Sequence, residues 1–371
     1  VKGAVAEVSK LMLKLGVLGF GGPAAHIAMM RDETVRRRGW LSDEEFMEMV
    51  GATNLIPGPN STEMAMHIGL RRAGARGLVA AGASFIVPAV VIVGAIAWLY
   101  AEYGTDPLVF DIRYGVLPVI IAIIAHAVWG LGRSNLRNPA ALVTAAAALG
   151  AYLLGLHELV IIVSLGVVWG LVHLVRNSSS RMNSFVPFTV IGLLAGQPSL
   201  ARLFLVFVEV GSVLYGSGYV LVAFLDSRLV TDTGYLTAEQ LLDAVAVGQI
   251  TPGPVFTTAT FIGWQILGVG GAALATLGIF GPSFVFVGLL DRFLKWLRAR
   301  PAARAFLSGV TFSSLGLMAG VLVRLVDAAL VDPLTWGVGA VALVLLIVTK
   351  IGAGWLVPAG VIIGLVHAAV V

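Results

Sequence analysis

Two short segments carry groups able to bind a ligand. One reads Asn54-Leu55-Ile56-Pro57-Gly58-Pro59-Asn60-Ser61-Thr62-Glu63. The other reads Gln249-Ile250-Thr251-Pro252-Gly253-Pro254-Val255-Phe256-Thr257-Thr258. Proline in the first turn of a helix loses no hydrogen bond, so Pro59 and Pro254 suit the start of a helix. Gly58 and Gly253 let the backbone bend and let a ligand approach closely. A helix that starts there presents unpaired N–H groups and a partial positive charge, which together favour an anion. Ser61, Thr62, Thr257 and Thr258 add hydroxyls about one turn in. Asn54 and Gln249 add amides three residues before the first proline of each motif. Two opposed helix ends with such donors and few fixed cations suit a tetrahedral dianion that must also be released. The plainer reading is that Pro-Gly-Pro merely kinks an ordinary helix.

The motifs lie 195 positions apart, and the offset extends beyond them. Gly16 falls on Gly211, Gly21 on Gly216, Gly39 on Gly234, Glu44 on Glu239 and Thr62 on Thr257. Twelve of the 54 positions from 16 to 69 coincide without a gap, half of them at Gly and Pro. The chain therefore reads as a duplicated unit, with boundaries at 1–178 and 179–371. Helix breaks at matching places in two halves are a sequence pointer to a transporter binding site.

The elements that must position these groups are membrane helices. Only 12% of the 371 residues are charged and 58% are hydrophobic, with a mean hydropathy of +0.95. Apolar runs of about 20 residues recur along the chain, continuous rather than alternating, so helices are expected and not a barrel. Spans are expected near Leu11–Met30, Leu78–Tyr100, Tyr114–Leu131, Pro139–Gly155 and Leu159–Val175. In the second half they are expected near Leu200–Leu225, Val269–Leu290, Phe306–Leu325, Leu334–Val348 and Gly354–Val370. The expected fold is an all-α polytopic protein with about ten transmembrane helices plus two Pro-Gly-Pro segments, each a broken crossing or a re-entrant helical hairpin. Arg36, Arg37 and Arg38 before the first motif, and Arg71, Arg72 and Arg76 after it, favour a hairpin open to the cytoplasm. Five crossings per half make the second repeat inverted. That topology puts 18 of the 24 Lys and Arg residues inside.

Other residues invite a role. Gly21-Gly22-Pro23 and the matching Gly216-Ser217-Gly218 could unwind a helix; close packing of small residues explains them equally well. Glu63 and His26 are candidates for carrying a coupling proton, since ionisable groups within spans are costly. Arg31 and Glu33 align with Asp226 and Arg228, with signs exchanged. They could gate opposite faces or simply form loop salt bridges. No metal-ligand spacing, phosphate loop or catalytic constellation is present, there are no cysteines, and no cofactor or nucleic acid is implied.

Phe20-Gly21-Gly22-Pro23, the Arg-rich loop through Gly39-Trp40-Leu41, and the two Pro-Gly-Pro segments resemble the chromate ion transporter family in its long, two-domain form. The resemblance covers nearly the whole chain. It implies a multi-pass inner-membrane protein that exports chromate, driven by the proton gradient or the membrane potential. It also implies a link to sulfate, a dianion of similar shape. Single-domain members that work as oppositely oriented pairs agree with inverted halves, and a homodimer remains open. Val255-Phe256 in place of Asn60-Ser61 puts a symmetrical site in doubt. Other readings are a sulfate or oxyanion permease and a passive anion channel.

Overall fold

The structure is a computed structural model that describes residues 2–104, 106–135, 138–176, 197–214, 220–290, 292, 300–349 and 351–370. Every regular element among them is helical. The first half holds α1 (Lys2–Leu18), α2 (Gly22–Arg31), a π-helical turn (Asp32–Arg37), α3 (Asp43–Thr53), α4 (Asn60–Tyr103), α5 (Pro107–Asn135), α6 (Pro139–Leu153) and α7 (Glu158–Arg176). The second half holds α8 (Leu200–Val213), α9 (Val220–Leu225), a π-helical turn (Asp226–Asp232), α10 (Ala238–Ile250) and a short 3-10 turn (Val255–Thr257). It continues with α11 (Thr258–Gly288), α12 (Pro301–Ala329), α13 (Pro333–Val348) and α14 (Ala353–Val370). The order of elements is the same twice.

Local chemistry fixes the boundaries. Ser42 and Thr237 cap α3 and α10 with reciprocal capping boxes through Glu45 and Gln240, which satisfies donors that a helix start leaves unpaired. α4 and α11 each contain one sharp break. At Ala73–Gly74 the dihedrals are −144°, 22° and 63°, −154°. At Leu267–Gly268 they are −139°, 26° and 61°, −150°. The breaks lie 194 rather than 195 positions apart, so the repeat slips by one residue after Pro-Gly-Pro. Gly69 and Gly77 touch backbone to backbone across the first break, as Gly263 and Gly271 do across the second. Residues eight apart on a straight helix would be separated by about 12 Å, so the chain doubles back here. A residue larger than glycine would force the arms apart.

The halves interlock. α1 packs on α4 where Gly16 meets the Phe85 carbonyl, and α8 packs on α11 where Gly211 meets that of Ile279. The closing helices instead cross over. α14 packs on α5 at Gly115 and Gly360, while α7 packs on α12 at Gly166 and Gly309. These contacts exchange under the same repeat, which is a two-fold relation between halves.

Among the described residues, five helical stretches are long and apolar enough to cross a membrane: Asn60–Tyr103, Pro107–Gly130, Glu158–Val175, Val255–Gly288 and Pro301–Ala329. Pro139–Leu153, Pro333–Val348 and Gly354–Val370 are apolar but shorter. The expected spans Leu11–Met30 and Leu200–Leu225 are not continuous. Positive φ at Gly21 and Gly22 ends the first at residue 19, and Leu214 turns extended to end α8. Gly216, Ser217 and the expected boundary between halves lie outside the described residues.

Candidate functional site

Both Pro-Gly-Pro motifs interrupt the helical path. α3 stops at Thr53 and α4 begins after Pro59; α10 stops at Ile250 and the 3-10 turn begins after Pro254. Gly58 (φ 133°) and Gly253 (φ 91°) adopt backbone that L side chains rarely take. Each glycine is seated on the other half. A Cβ on Gly253 would lie 2.7 Å from that of Ala89, and one on Gly58 would strike Glu63 and Ser283. Ala89 and Ser283 each lie fifteen residues past the break glycine of their helix (74 to 89, 268 to 283). Each follows an intrahelical proline, Pro88 or Pro282. On α4, Ala89 is midway along the segment 75–103, so the turn at Gly253 meets a long apolar helix at half its length.

The glycine amides are already engaged. Gly58 N–H donates to the Leu214 carbonyl, and Gly253 N–H to the Gly19 carbonyl, both at 2.8 Å. Gly19 and Leu214 are themselves repeat partners, and each sits at the break between two helices. These bonds tie the motif of each half to the broken helix of the other. The amides of Asn60 and Ser61 open α4 and have no carbonyl one turn back within it.

The side chains differ between halves. Near the first motif, Ser61, Thr62 and Glu63 are buried, while Asn54 is exposed and its Oδ1 accepts from Asn60 Nδ2 at 2.8 Å. Thr62 Oγ1 and Glu63 Oε2 are buried without a hydrogen-bond partner. Glu63 Oε1 accepts from Ser283 Oγ at 3.2 Å. His26 is buried on α2 with its edge against Phe85 (5.3 Å between centroids). Its Nε2 lies 2.8 Å from the Gly19 carbonyl and its Nδ1 lies 3.3 Å from Ser61 Oγ. Near the second motif, Leu221 takes the place of His26, Phe256 that of Ser61, and Ala89 faces where Ser283 faces the first. Thr257 and Thr258 commit their hydroxyl protons to the carbonyls of Pro254 and Val255, both at 2.8 Å. Gln249 is buried, with Nε2 unpartnered.

An unpartnered buried polar group costs about 1–3 kcal/mol. Thr62, Glu63 and Gln249 each carry such a group beside a Pro-Gly-Pro turn.

The sign-exchanged residues form structural networks apart from the motifs. Lys14 Nζ meets Glu33 Oε1 at 2.6 Å, and Glu209 meets Arg228. Lys14 aligns with Glu209 and Glu33 with Arg228, so one ion pair occurs twice with its charges reversed. The Lys14 and Arg38 donors hold the Glu33 carboxyl below its ordinary range against a smaller opposing effect of burial. Arg228 also meets Glu158 (3.4 Å), Asp232 (3.1 Å) and His157 Nε2 (2.6 Å). Arg31 pairs instead with Asp43, and Asp226 with Tyr152 (2.7 Å) and Arg324 (3.1 Å). Gly21 and Gly22 shape the α1–α2 break. Sequence reasoning missed Leu214, Ser283 and the Lys14–Glu209 correspondence. The offset pointed to the last of these; nothing local marks the others.

Apolar helices of spanning length, interrupted at matched places in a doubled architecture, define a multi-pass membrane transport protein. The chain belongs to the chromate transporter family, whose model matches residues 6–171 and 201–365. It is 32% identical to a probable chromate transport protein of Synechococcus elongatus, over 92% of this chain and 89% of the relative. It is 31% identical to a chromate transport protein of Cupriavidus metallidurans (95% and 91%) and 29% to one of Pseudomonas aeruginosa (89% and 83%). No solved structure matches the chain. These relatives are transport proteins, and the chain is a transporter rather than an enzyme.

Proposed function

We propose that this protein exports chromate across the inner membrane by alternating access, with the dianion held at the two Pro-Gly-Pro turns. The observation that carries this reading is the seating of each turn against a long helix of the other half, fifteen residues past that helix's break. Such a place is remote from both membrane faces, and water there competes weakly for the anion. Asn54, Asn60, Ser61, Thr62 and Gln249 are the proposed ligands, and Thr257 and Thr258 join them once their hydroxyls turn. The glycines and prolines shape the turns.

The reading takes the two halves as inverted repeats with re-entrant hairpins. Arg71, at the end of segment 60–72, reaches Glu45 at the start of α3 (3.4 Å). That contact supports a hairpin with Pro57–Pro59 at its tip and its base beside residues 69–77. In the second half, Asp243 on α10 takes a hydrogen bond from Tyr100 (2.5 Å) and pairs with Arg113 (3.0 Å). The base of the second hairpin thus lies by the far end of α4. The segment 75–103 between those two bases is about 43 Å long, more than a hydrocarbon core. Bases on opposite faces are what inverted repeats require. The names of the relatives supply the substrate.

Purified protein in liposomes should exchange internal for external chromate. Thr62→Ala and Asn54→Ala should each slow that exchange while the protein still folds. Sulfate competing as well as chromate would change the substrate, and single-channel currents without coupling would replace the carrier with a channel. Wild-type exchange in both variants would remove these residues from the site.

A further inference from the structure

Among the described residues, Glu63 is the carboxyl that meets a Pro-Gly-Pro glycine. It lies four residues after Pro59 with its side chain folded back over Gly58, so closely that a Cβ there would strike Oε1. It is completely buried. Its hydrogen-bond partner is the neutral Ser283 hydroxyl, and Oε2 has none. Among the described residues it makes no ion pair. The groups facing this corner are Ser283 from α11, Thr62 and His67 on its own helix, and His26 from α2 through Ser61. No Lys or Arg is among them. An isolated carboxylate in such a place is strongly disfavoured. A dianion at the same turn would add repulsion from a second centre of like charge.

We propose that Glu63 is the proton-binding group of the transport cycle: it carries a proton whenever the dianion occupies the Pro57–Pro59 turn, so one proton crosses with each substrate ion. This rests on the oxyanion reading of that turn. The carboxylate takes up the proton before or with the dianion, and Oε2 then offers an O–H to a substrate oxygen instead of a lone pair. On release at the other face the dianion and the proton leave together. The repeat position holds Thr258, or Thr257 after the one-residue slip, and Ala89 stands where Ser283 would be. The second turn therefore binds no proton, and the ratio is one rather than two. A dianion with one proton still carries one net negative charge. An inside-negative potential drives it out, whereas a proton gradient directed inward opposes exit. The membrane potential is then the force for export.

The test uses full-length protein in liposomes with chromate as probe. Exchange at equal pH and zero potential is measured first; absence of exchange in the wild type overturns the oxyanion reading itself. With the potential clamped, external acid should then drive chromate inward. Whatever its own rate of exchange at equal pH, Glu63→Gln should lose acid-driven accumulation relative to that exchange by roughly tenfold or more, within the range of typical coupling effects. Accumulation driven by internal acid in the wild type, or undiminished accumulation in Glu63→Gln, overturns the proposal while leaving the oxyanion reading intact. Should that variant fail to fold, infrared difference spectra of wild type with isotopically labelled glutamate decide. Adding chromate should produce a labelled protonated-carboxyl band, weakened in Ser283→Ala. A wild type that exchanges chromate without such a band overturns the proposal.

Discussion

The amide of Gly253 donates to the carbonyl of Gly19 across 234 positions of sequence, and the bond is repeated, with the halves exchanged, between Gly58 and Leu214. Each Pro-Gly-Pro turn is thereby fastened to the broken helix of the opposite half. The Gly19 oxygen also faces His26 Nε2, whereas Leu221 stands at the equivalent place beside Leu214. The two fastenings share their backbone geometry and differ in their side chains. Any relative motion of the halves must strain or exchange these bonds.

Gly253→Ala should damage the protein for two separable reasons. The positive φ costs of order 1–3 kcal/mol, and overpacking a filled site costs about as much again. Gly234→Ala is the matched control, since it has φ 62° but open space around the new methyl. Thermal unfolding of detergent-purified protein should fall much further for Gly253→Ala than for Gly234→Ala. Adding Ala89→Gly should restore part of the difference, because it removes the 2.7 Å methyl contact and leaves φ unchanged.

The reversed ion pairs should differ in weight. Lys14 is 46% exposed, while the Arg228 and Glu209 side chains are 3% and 8% exposed. An exposed pair contributes about 0–1 kcal/mol, but removing one partner of a buried pair costs about 3–5 kcal/mol. Arg228→Ala leaves Glu158 and Glu209 buried beside each other and should abolish stable expression. Lys14→Ala should be tolerated.

The Lys14–Glu33 pair also has a pH signature. Its donors lower the carboxyl's affinity for protons in the folded protein relative to the unfolded chain. Its stabilisation is therefore complete above the ordinary carboxylate range and fades as pH falls through the lowered folded value. Comparing the thermal midpoints of wild type and Glu33→Gln from neutral pH downward should show the gap closing only in acid. A gap that is constant with pH would assign Glu33 a packing role instead.

Much of the architecture was legible because Gly and Pro record backbone geometry directly. Pro57–Pro59 and Pro252–Pro254 announced interrupted helices, and Gly21-Gly22-Pro23 announced that a helix could unwind there. What stayed hidden depends on partners distant in sequence. Nothing around Ser283 distinguishes it from any small residue on an apolar helix; its role arises because Gly58 leaves room for Glu63 to reach it. The breaks at Gly74 and Gly268 were missed because an ungapped offset of 195 does not align them. The residue dropped after Pro-Gly-Pro accompanies the 3-10 start of the second copy at Val255–Thr257, where the first copy starts as α-helix at Asn60. Arg31 and Asp226 were legible as opposites but not as pairs, since Asp43 has Ala238 at its repeat position.

The proposed inverted arrangement makes a prediction that the absence of cysteine lets one test cleanly. Single cysteines at Arg36 and at Asp232 should react with a membrane-impermeant maleimide from opposite sides of the membrane. Arg36 lies in the π-helical turn before α3, and Asp232 in the equivalent turn before α10. The contacts Glu45–Arg71 and Tyr100–Asp243 place α3 and α10 at opposite ends of segment 75–103. That segment, at about 43 Å, cannot lie on one face while both of its ends are wet. Arg71→Cys should label with Arg36→Cys, and Glu239→Cys with Asp232→Cys. Labelling of Arg36→Cys and Asp232→Cys from the same side would make the repeats parallel. The two hairpins would then open to one compartment, and a dianion could not be passed between them.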